Sequence, residues 1–494
     1  MAVHAFICPY CGKKIDESNI LFVYDGYPTL YADTVRFNFL TKCSSQWPFD
    51  NGDRFRGLYF HPVPENTKYE DSKHVPVVTY ARLSAGLTPR ELADPDMLNA
   101  TGEEKPEPND DPVAISNRAC PHCHCRLPNN YGVYDTMFVS MMGGRAAGKT
   151  AFLLAMIHQL STQLPSRALG SAQLHAESQI FYNLQNEYYQ SHNGTTLPTP
   201  KDERLFPFVF EYTYFNNNVT KKCFVVIYDI AGEGMSQPDY LLGHLGIKQA
   251  KTVLLMLDPN MLNVGGYDAA IHSIAKDTIE PAPGMENQYD SEATAESHDF
   301  YDSPLTAFLA QSVVANRTLG VLEDVRNVIA VTTKMDQPLM VEPKHFGGNC
   351  ILKEDLGNAH QGGLDLAVIN KVHSDVSTFY ERYHLGLVDA VRAAFSGGQQ
   401  EKVKVIALAC STYTRVPGEN IRFTNGFQEA APKHRIIEPF LVLLHLAGMI
   451  PVRGAKPEPR PDPKPIKDDG KGGKGGKGGK KKEKGGWFGR KKDK

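Results

Sequence analysis

Short apolar runs alternate with amphipathic stretches through the middle of the chain. The run DTMFVSMMGG precedes TAFLLAMIHQLSTQL, in which residues 152, 153, 156, 157, 160 and 164 form an apolar stripe at helical spacing. Three later runs, KTVLLMLD, NVIAVTT and KVKVIALAC, also adjoin helical stretches. Apolar runs separated by helices predict an α/β fold, with a mostly parallel sheet covered by helices on both faces.

Other segments predict strands outside that alternation. RLFPFVFEYTYF and KKCFVVIYDI flank three asparagines at 216–218, a pattern that indicates a β-hairpin. Nearer the start, LFVYDGY, TVRFNFL, RFRGLYF and VPVVTYARL are rich in aromatic and β-branched residues and predict short strands. The acidic, proline-containing residues 92–112 predict a linker or an exposed loop.

Composition places the chain among multidomain globular proteins, with an uneven distribution of charge. It has 494 residues, 41% hydrophobic and 22% charged, enough for two or three domains. Residues 456–494 hold 15 basic and 6 acidic side chains, a local charge of +9, so residues 1–455 carry −12 of the total of −3. The acidic body argues against a nucleic-acid surface there, and the Lys/Gly-rich tail is expected to be disordered.

The sequence contains neither a secretory signal nor a membrane span by the usual criteria. The start, MAVHAFICPYC, lacks a basic segment followed by an apolar one, which predicts a cytoplasmic location. The apolar stretch at 440–452 has 13 residues, whereas a spanning helix needs about 20. The tail ends in GGWFGRKKDK, whose aromatic pair and basic residues suit peripheral contact with an anionic membrane surface or an acidic partner.

Two CxxC pairs predict a metal site. Cys8 and Cys11 form one pair, and Cys120 and Cys123 form the other. Two such turns complete a four-cysteine site of the kind that binds Zn²⁺, with iron as the less favoured metal. The 108 residues between the pairs must then fold as an insertion whose ends meet at the metal. Otherwise each pair recruits other ligands, for which the candidates are Cys43, His122, His124 and Cys125.

A glycine-rich loop follows the first apolar run. Residues 143–150, GGRAAGKT, match GxxxxGK[ST] between a predicted strand and a predicted helix. In this pattern glycine backbone N–H groups approach phosphate oxygens, the lysine reaches the β- and γ-phosphates, and the hydroxyl binds Mg²⁺. The predicted phosphate-binding residues are Gly143, Gly144, Gly148, Lys149 and Thr150.

Three downstream elements indicate guanine as the base. Asp229 to Gly232 matches DxxG, in which the aspartate holds Mg²⁺ and the glycine N–H meets the γ-phosphate. Thr333, Lys334 and Asp336 match TKxD at a strand end, and the aspartate can accept two hydrogen bonds that guanine, but not adenine, donates. Ser411 follows a further apolar run, where a backbone N–H would lie near guanine O6.

These motifs together resemble the TRAFAC class of P-loop GTPases over residues 134–450. RACPHCHCRLP running into the phosphate loop, DIAGE, and IIEPFLVLLHLAG are similar to the prokaryotic double-GTPase family. The resemblance implies a GTPase with an N-terminal zinc ribbon, acting as a regulatory switch in bacterial conflict or defence systems. The implied layout is a zinc ribbon at 1–130 with a β-rich insertion at about 12–119, a GTPase domain at 131–455, and the tail.

Several positions bear on turnover. Glu233 stands where many GTPases have a water-orienting glutamine, and Arg145 lies inside the phosphate loop. Both are candidate catalytic residues beside Lys149, and the carboxylate predicts slow hydrolysis that a regulatory partner accelerates. The threonine that closes over Mg²⁺ is predicted to be Thr199, with Thr196 as the alternative.

Three functions are compatible with these residues. The first is a GTP-hydrolysing switch that cycles between GTP and GDP with Mg²⁺. The second is a nucleotide-gated scaffold that binds GTP without hydrolysing it. The third is a zinc-ribbon nucleic-acid-binding protein with an ATP-type core, against which TKxD and the acidic body argue.

Overall fold

A computed structural model provides the three-dimensional structure of the chain. The unit Met1–Ala455 contains all residues described below. The second unit, Lys456–Lys494, is the predicted tail, and it lies outside the described residues. The structure describes residues 5–26, 33–43, 57–63, 75–93, 111–144, 147–191, 205–216, 219–230, 232, 241, 246–259, 308–335, 359–382, 386–396, 403–412 and 435–454.

The apolar runs of the middle region form one large sheet. Within the described residues it has seven strands in the order β14-β13-β12-β8-β11-β10-β9. The first five pair in parallel and the last two antiparallel. The strands are β8 (Thr136–Gly143), β9 (Ser171–Leu174), β10 (Phe208–Asn216), β11 (Val219–Asp229), β12 (Thr252–Leu257), β13 (Asn327–Thr332) and β14 (Lys404–Ala409).

This arrangement confirms the prediction of a mixed α/β fold with a parallel sheet. Each of the four predicted parallel runs is a strand, and every residue of β12 is buried, as expected of a strand covered on both faces. The predicted hairpin is also confirmed, because Phe208 to Asn216 pairs antiparallel with Val219 to Ile227. Its two turn residues, 217–218, lie outside the described residues.

Helices accompany the strands of this sheet. The predicted stripe at 152–164 belongs to an 18-residue helix that is buried more completely than one stripe requires, including every residue from Ala151 to Ile157. The helices are α4 (Lys149–Ser166), α5 (Ala176–Ser191), α6 (Ala315–Thr318, preceded by a π-helical turn Leu309–Val314), α7 (Leu366–Arg382), α8 (Leu387–Ser396) and α9 (Glu438–Leu446). A 3₁₀ turn spans Ile247–Gln249.

The N-terminal region contains two smaller sheets. One is a hairpin of two short strands, and the other has five strands in the order β5-β4-β3-β6-β7. The strands are β1 (Ala5–Ile7), β2 (Lys14–Asp16), β3 (Leu21–Tyr24), β4 (Leu58–Val63), β5 (Val77–Thr79), β6 (Arg118–Ala119) and β7 (Arg126–Leu127). The helical elements are a 3₁₀ turn (Glu17–Asn19), α1 (Thr34–Thr41), α2 (Tyr80–Ala85) and α3 (Pro89–Ala93).

The strand prediction for TVRFNFL was wrong, because these residues form α1. The Asp33 side chain accepts a hydrogen bond from the Arg36 backbone N–H at 2.9 Å, which caps the helix start. Arg36, Phe39 and Leu40 are buried, at intervals of three and one that match a helix rather than a strand. The capping residue and this periodicity outweigh the β-branched and aromatic composition.

A buried ion pair joins the N-terminal region to α5. Both oxygens of Glu177 accept hydrogen bonds from Arg36 Nη2, at 2.8 and 2.7 Å, and Glu177 Oε1 also accepts from the Arg126 backbone N–H at 3.0 Å. The two side chains are 6% and 2% exposed. Burial favours a higher pKa for Glu177, but the charge of Arg36 and these hydrogen bonds hold its pKa below the ordinary value.

Candidate functional site

The two predicted cysteine pairs come together in the structure. The Sγ atoms of Cys8, Cys11, Cys120 and Cys123 all lie within 4.8 Å of one another. Cys8 Sγ is 3.9 Å from Cys123 Sγ, and Cys11 Sγ is 3.8 Å from Cys120 Sγ. The four thiols therefore form a group that can hold a metal ion, and the long segment between the pairs does return to it.

The alternative ligands that the sequence left open lie outside this group of thiols. Cys125 and Cys43 are buried cysteines nearby in the same core, but the described residues contain one cluster of potential metal ligands, composed of the two CxxC pairs. His124 instead places Nδ1 3.0 Å from Asp33 Oδ1, and His122 Nε2 lies 3.3 Å from the Lys14 carbonyl oxygen. Both imidazoles thus have other partners.

The two CxxC turns share one backbone pattern. The Cys8 N–H donates to the Lys13 carbonyl at 2.8 Å, and the Gly12 N–H donates back to the Cys8 carbonyl at 3.0 Å. The Cys120 turn repeats both bonds with Cys125 and His124, at 3.0 and 2.9 Å. Gly12 and His124 both have positive φ, 69° and 57°, so each turn closes through a left-handed residue. We call these two turns the knuckles.

The thiols differ in their electrostatics. Hydrogen bonds from Cys120, Cys123 and Cys8 hold the pKa of Cys11 well below the usual value for a thiol. Burial raises the pKa of Cys8 and that of Cys123. The His122 backbone N–H also points at Cys120 Sγ, 3.4 Å away. A partly exposed thiol with a lowered pKa, within a buried sulfur cluster, suits cation coordination, because metals bind the deprotonated form.

The glycine-rich loop lies where β8 ends and α4 begins. Lys149 is buried, and its Nζ donates to the carbonyls of Gly143 and Gly144 at 3.0 and 2.9 Å. A Cβ at Gly143 would lie 2.5 Å from the Met256 carbonyl oxygen, so the close approach of β12 requires glycine. Gly148 has φ +77° and caps α4, whose first N–H groups have no partner within the helix.

Thr150 and Asp229 meet beside this loop. Asp229 ends β11, which is parallel to β8, and its Oδ2 accepts a hydrogen bond from Thr150 Oγ1 at 2.8 Å. Its Oδ1 is buried and has no hydrogen-bond partner among the described residues. Burial raises the pKa of Asp229, against the charge of Lys149 and the Thr150 hydrogen bond. A buried, unpaired carboxylate oxygen of this kind suits a cation or an ordered water.

Thr333 connects the predicted base-reading element to the loop. It follows β13, and its Oγ1 donates to the Ala147 carbonyl at 2.8 Å and lies 3.1 Å from the Leu257 carbonyl. Ser411 follows β14 and is buried at the same edge of the sheet. Because the carboxyl ends of adjacent parallel strands share one edge, residues separated by more than 180 positions meet here.

Lys334 has a partner that sequence reasoning missed. Its Nζ is 2.6 Å from Asp258 Oδ2, and its backbone has φ 51°. Asp258 directly follows β12. Its position at the end of an apolar run was the sequence signal that could have identified it as a site residue. Asp258 thus belongs to the strand edge, defined here as Lys149, Thr150, Asp229, Asp258, Thr333 and Lys334.

Several predicted residues lie outside the described residues. Gly232 is described and is partly exposed. The candidate residues outside the described ranges are Arg145, Thr196, Thr199, Glu233 and Asp336.

No helix within the described ranges combines the length and apolar character needed to cross a bilayer.

Comparison with known proteins adds no family assignment. No protein-family model matches the chain, and no curated protein matches it. The functional argument therefore depends on the motifs and on the geometry described above.

Proposed function

We propose that this protein binds GTP with Mg²⁺ at the strand edge and hydrolyses it slowly, as a switch whose state a partner reads. The observation that carries the proposal is the convergence of Lys149, Thr150, Asp229 and Thr333 at the carboxyl ends of adjacent parallel strands. Open parallel sheets bind ligands at this edge. The order of the motifs in the sequence favours GTP over ATP.

The residues of the loop suit the phosphates. The N–H groups at the start of α4 and the Lys149 ammonium would hold the phosphate oxygens, since a helix N-terminus favours anions. The Thr150 hydroxyl and the Asp229 carboxylate would hold Mg²⁺, a hard cation that prefers oxygen ligands. Bound there, Mg²⁺ would neutralise charge on the β- and γ-phosphates. The unpaired Oδ1 of Asp229 supports this assignment.

The second half of the site would bind the base. Asp336 would accept from guanine N1–H and the exocyclic amine, while the Lys334 stem covers the ring and a backbone N–H at Ser411 approaches O6. Asp258 supports the role of Lys334, because its carboxylate holds the lysine amine at 2.6 Å. Thr333 supports a single composite site, because its hydroxyl bonds the phosphate loop directly.

We propose zinc for the cysteine cluster. Four thiols from two knuckles match the closed tetrahedral sites in which Zn²⁺ stabilises a fold, and no residue other than these four belongs to the described cluster. Metal analysis of the purified full-length chain should find about one zinc per molecule. Stoichiometric iron instead would contradict the assignment.

Hydrolysis would involve two residues that lie within or directly after the sequence motifs. Glu233 would orient the attacking water, and Arg145 would neutralise charge in the transition state. An ionised carboxylate near phosphate is repelled, so we expect slow turnover that a regulatory protein accelerates. In single-turnover assays, Glu233→Ala and Arg145→Ala should lower the rate, and unchanged rates in both would exclude the catalytic roles.

Partner contacts are a further part of the proposal. The resemblance to double-GTPases supports a regulatory role in bacterial conflict or defence, exercised through a protein that recognises the GTP-bound state. The basic tail would contact an anionic membrane surface or an acidic partner. Co-sedimentation with anionic liposomes, with and without residues 456–494, tests the tail, and equal pelleting would exclude membrane contact.

Nucleotide competition with phosphate release tests the central proposal. GTP and GDP should displace a fluorescent GTP analogue, and ATP should not. Lys149→Ala should weaken GTP binding by about 10- to 100-fold, the equivalent of losing charge-assisted hydrogen bonds worth ~1.5–3 kcal/mol. Asp336→Asn should reduce the preference for GTP over ATP. Lys221→Ala, an exposed lysine of β11, is the matched control and should bind normally.

Competition by ATP equal to that by GTP would overturn the guanine assignment. Tight GTP binding without phosphate release would replace the switch by the non-hydrolysing scaffold.

A further inference from the structure

The first knuckle contacts the strand that carries Asp229. Pro9 lies between the two cysteines of this knuckle, and its carbonyl accepts a hydrogen bond of 2.6 Å from the Tyr228 hydroxyl. Tyr228 is 2% exposed. A buried bond to a carbonyl inside a CxxC turn ties the position of the metal-binding loop to the position of β11.

Tyr228 directly precedes Asp229 in the same strand. Since successive side chains of a strand point to opposite faces, Tyr228 reaches the knuckle on one face while Asp229 bonds Thr150 on the other. Their shared backbone is held to β8, where the Ile230 N–H donates to the Met141 carbonyl at 3.0 Å. A shift of this strand end therefore moves both contacts together.

The Tyr228 hydroxyl occupies a slot with little spare room. A Cβ added at Gly246 would lie 2.0 Å from Tyr228 Oη and 2.3 Å from its Cζ. Real Cβ atoms do not approach other atoms so closely, so residue 246 must be glycine for the phenol to reach Pro9. The hydroxyl is thus confined between the knuckle and the Gly246 backbone.

A second tyrosine anchors the same knuckle to the large sheet. Tyr10 Oη lies 2.6 Å from His175 Nδ1, and its ring stacks on Phe206 with centroids 5.4 Å apart at 27°. Phe206 lies two residues before the start of β10, the neighbour of β11. The knuckle thus contacts β11 through Pro9 and the segment that leads into β10 through Tyr10.

We propose that the metal-bound knuckle positions Asp229 through the Tyr228–Pro9 hydrogen bond, so that metal retention at the cysteines and Mg²⁺–GTP binding at the strand edge are reciprocally coupled. This inference rests on the proposed function. Tyr228 is a positioning residue, because it acts through the strand that it shares with Asp229.

The sign of the coupling follows from the Thr150–Asp229 contact. The two side chains bond each other in this structure. If they held Mg²⁺, both would turn to the cation. The bound Mg²⁺ and nucleotide would then fix the end of β11. A fixed strand end holds Tyr228 against Pro9 and slows opening of the knuckle. Thermodynamic linkage makes the effect reciprocal: bound zinc raises the affinity for GTP by the same factor as bound GTP raises the affinity for zinc.

Zinc release from the full-length, zinc-loaded chain measures this coupling. The rate of transfer to a chromogenic chelator is compared with and without Mg²⁺ and a non-hydrolysable GTP analogue. Usual coupling between sites begins at about 5-fold in affinity. With an unchanged rate of zinc association, the analogue should therefore slow zinc release from the parent chain at least about 5-fold. Tyr228→Phe should abolish the difference while still binding zinc.

Tyr212→Phe is the matched control. Its hydroxyl also donates to a buried carbonyl, that of Leu169, from the adjacent strand β10. Both variants remove one hydrogen bond to a buried carbonyl, so a general loss of stability would affect them alike. Tyr212→Phe should keep the nucleotide dependence of zinc release. Gly246→Ala displaces the Tyr228 hydroxyl without altering it and serves where Tyr228→Phe does not fold.

Three failures can be told apart, because analogue binding is measured on the same samples. A parent chain that binds the analogue but releases zinc at the same rate with and without it overturns the coupling alone. A Tyr228→Phe chain that keeps the difference overturns the role of Tyr228. A parent chain that does not bind the analogue overturns the proposed function and the coupling with it.

Discussion

The cysteine cluster and the strand edge are assembled in different ways. The cluster has four residues of one type, in two knuckles with the same hydrogen bonds, and all four side chains lie within reach of each other. The strand edge draws different residue types from the start of α4 and from the ends of separate strands, and contacts within it join two residues at a time, as Thr150 bonds Asp229. A metal centre can thus be built from one repeated local motif, whereas the strand edge depends on the topology of a whole sheet.

The largest test removes a ligand from the cluster. Cys120→Ser should abolish stoichiometric zinc binding and lower the free energy of unfolding by about 5 kcal/mol or more, because metal binding to such sites is itself folding free energy. Cys125→Ala, in the same turn but outside the cluster, should keep the metal and cost about 1 kcal/mol. Metal analysis and urea unfolding measure the zinc content and the stability of both variants. Equal zinc loss in the two variants would contradict the four-cysteine assignment.

The next test measures how much the buried ion pair between α1 and α5 stabilises the fold. Arg36→Met leaves the Glu177 carboxylate buried without its ion-pair partner and should lower the free energy of unfolding by about 3–5 kcal/mol, measured in urea. Arg392→Met, which removes the exposed pair with Asp389, should cost less than about 1 kcal/mol. Adding Glu177→Leu to Arg36→Met should recover part of the loss; no recovery would indicate that packing, rather than charge, holds this contact.

The same pair predicts a dependence on pH. The pKa of Glu177 is lower in the folded state than in the unfolded state, where it is about 4.3. The ionised carboxylate therefore stabilises the fold fully above about pH 4.3, and this stabilisation is lost as the pH falls towards the folded pKa. The stability difference between the parent and the Arg36→Met, Glu177→Leu double variant should therefore shrink below about pH 4.3. Urea unfolding between pH 6 and pH 3 measures it, and a constant difference would count against the charged pair.

The smallest effect concerns the strand edge. Thr333→Val removes the hydroxyl that donates to the Ala147 carbonyl and should cost about 1–2 kcal/mol in unfolding. GTP affinity should fall as well, while zinc content stays unchanged. Thr333→Ser retains the hydroxyl and should behave like the parent chain. Loss of zinc in Thr333→Val would contradict the view that the cysteine cluster and the strand edge are assembled separately.

Much of the large sheet could be predicted from the sequence. Its central strands are runs of apolar residues buried on both faces, and an unbroken apolar run predicts such burial from composition alone. Helix α1 was not predicted as a helix, because its composition favours a strand and its cap is a single aspartate. Partners at long range were missed for a different reason. Asp258 meets Lys334 through sheet order, and the spacing of residues along a chain does not specify which strands are neighbours.

The sequence by itself determined the chemistry of the two candidate sites: thiols at CxxC spacing, and a lysine and a hydroxyl at the junction of a strand and a helix. These are local properties, since a turn or a helix start depends on residues a few positions apart. Only the tertiary structure decided that Cys8 and Cys11 meet Cys120 and Cys123, and that Tyr228 reaches Pro9. Such contacts depend on how sheets and insertions pack, which is a property of the whole chain.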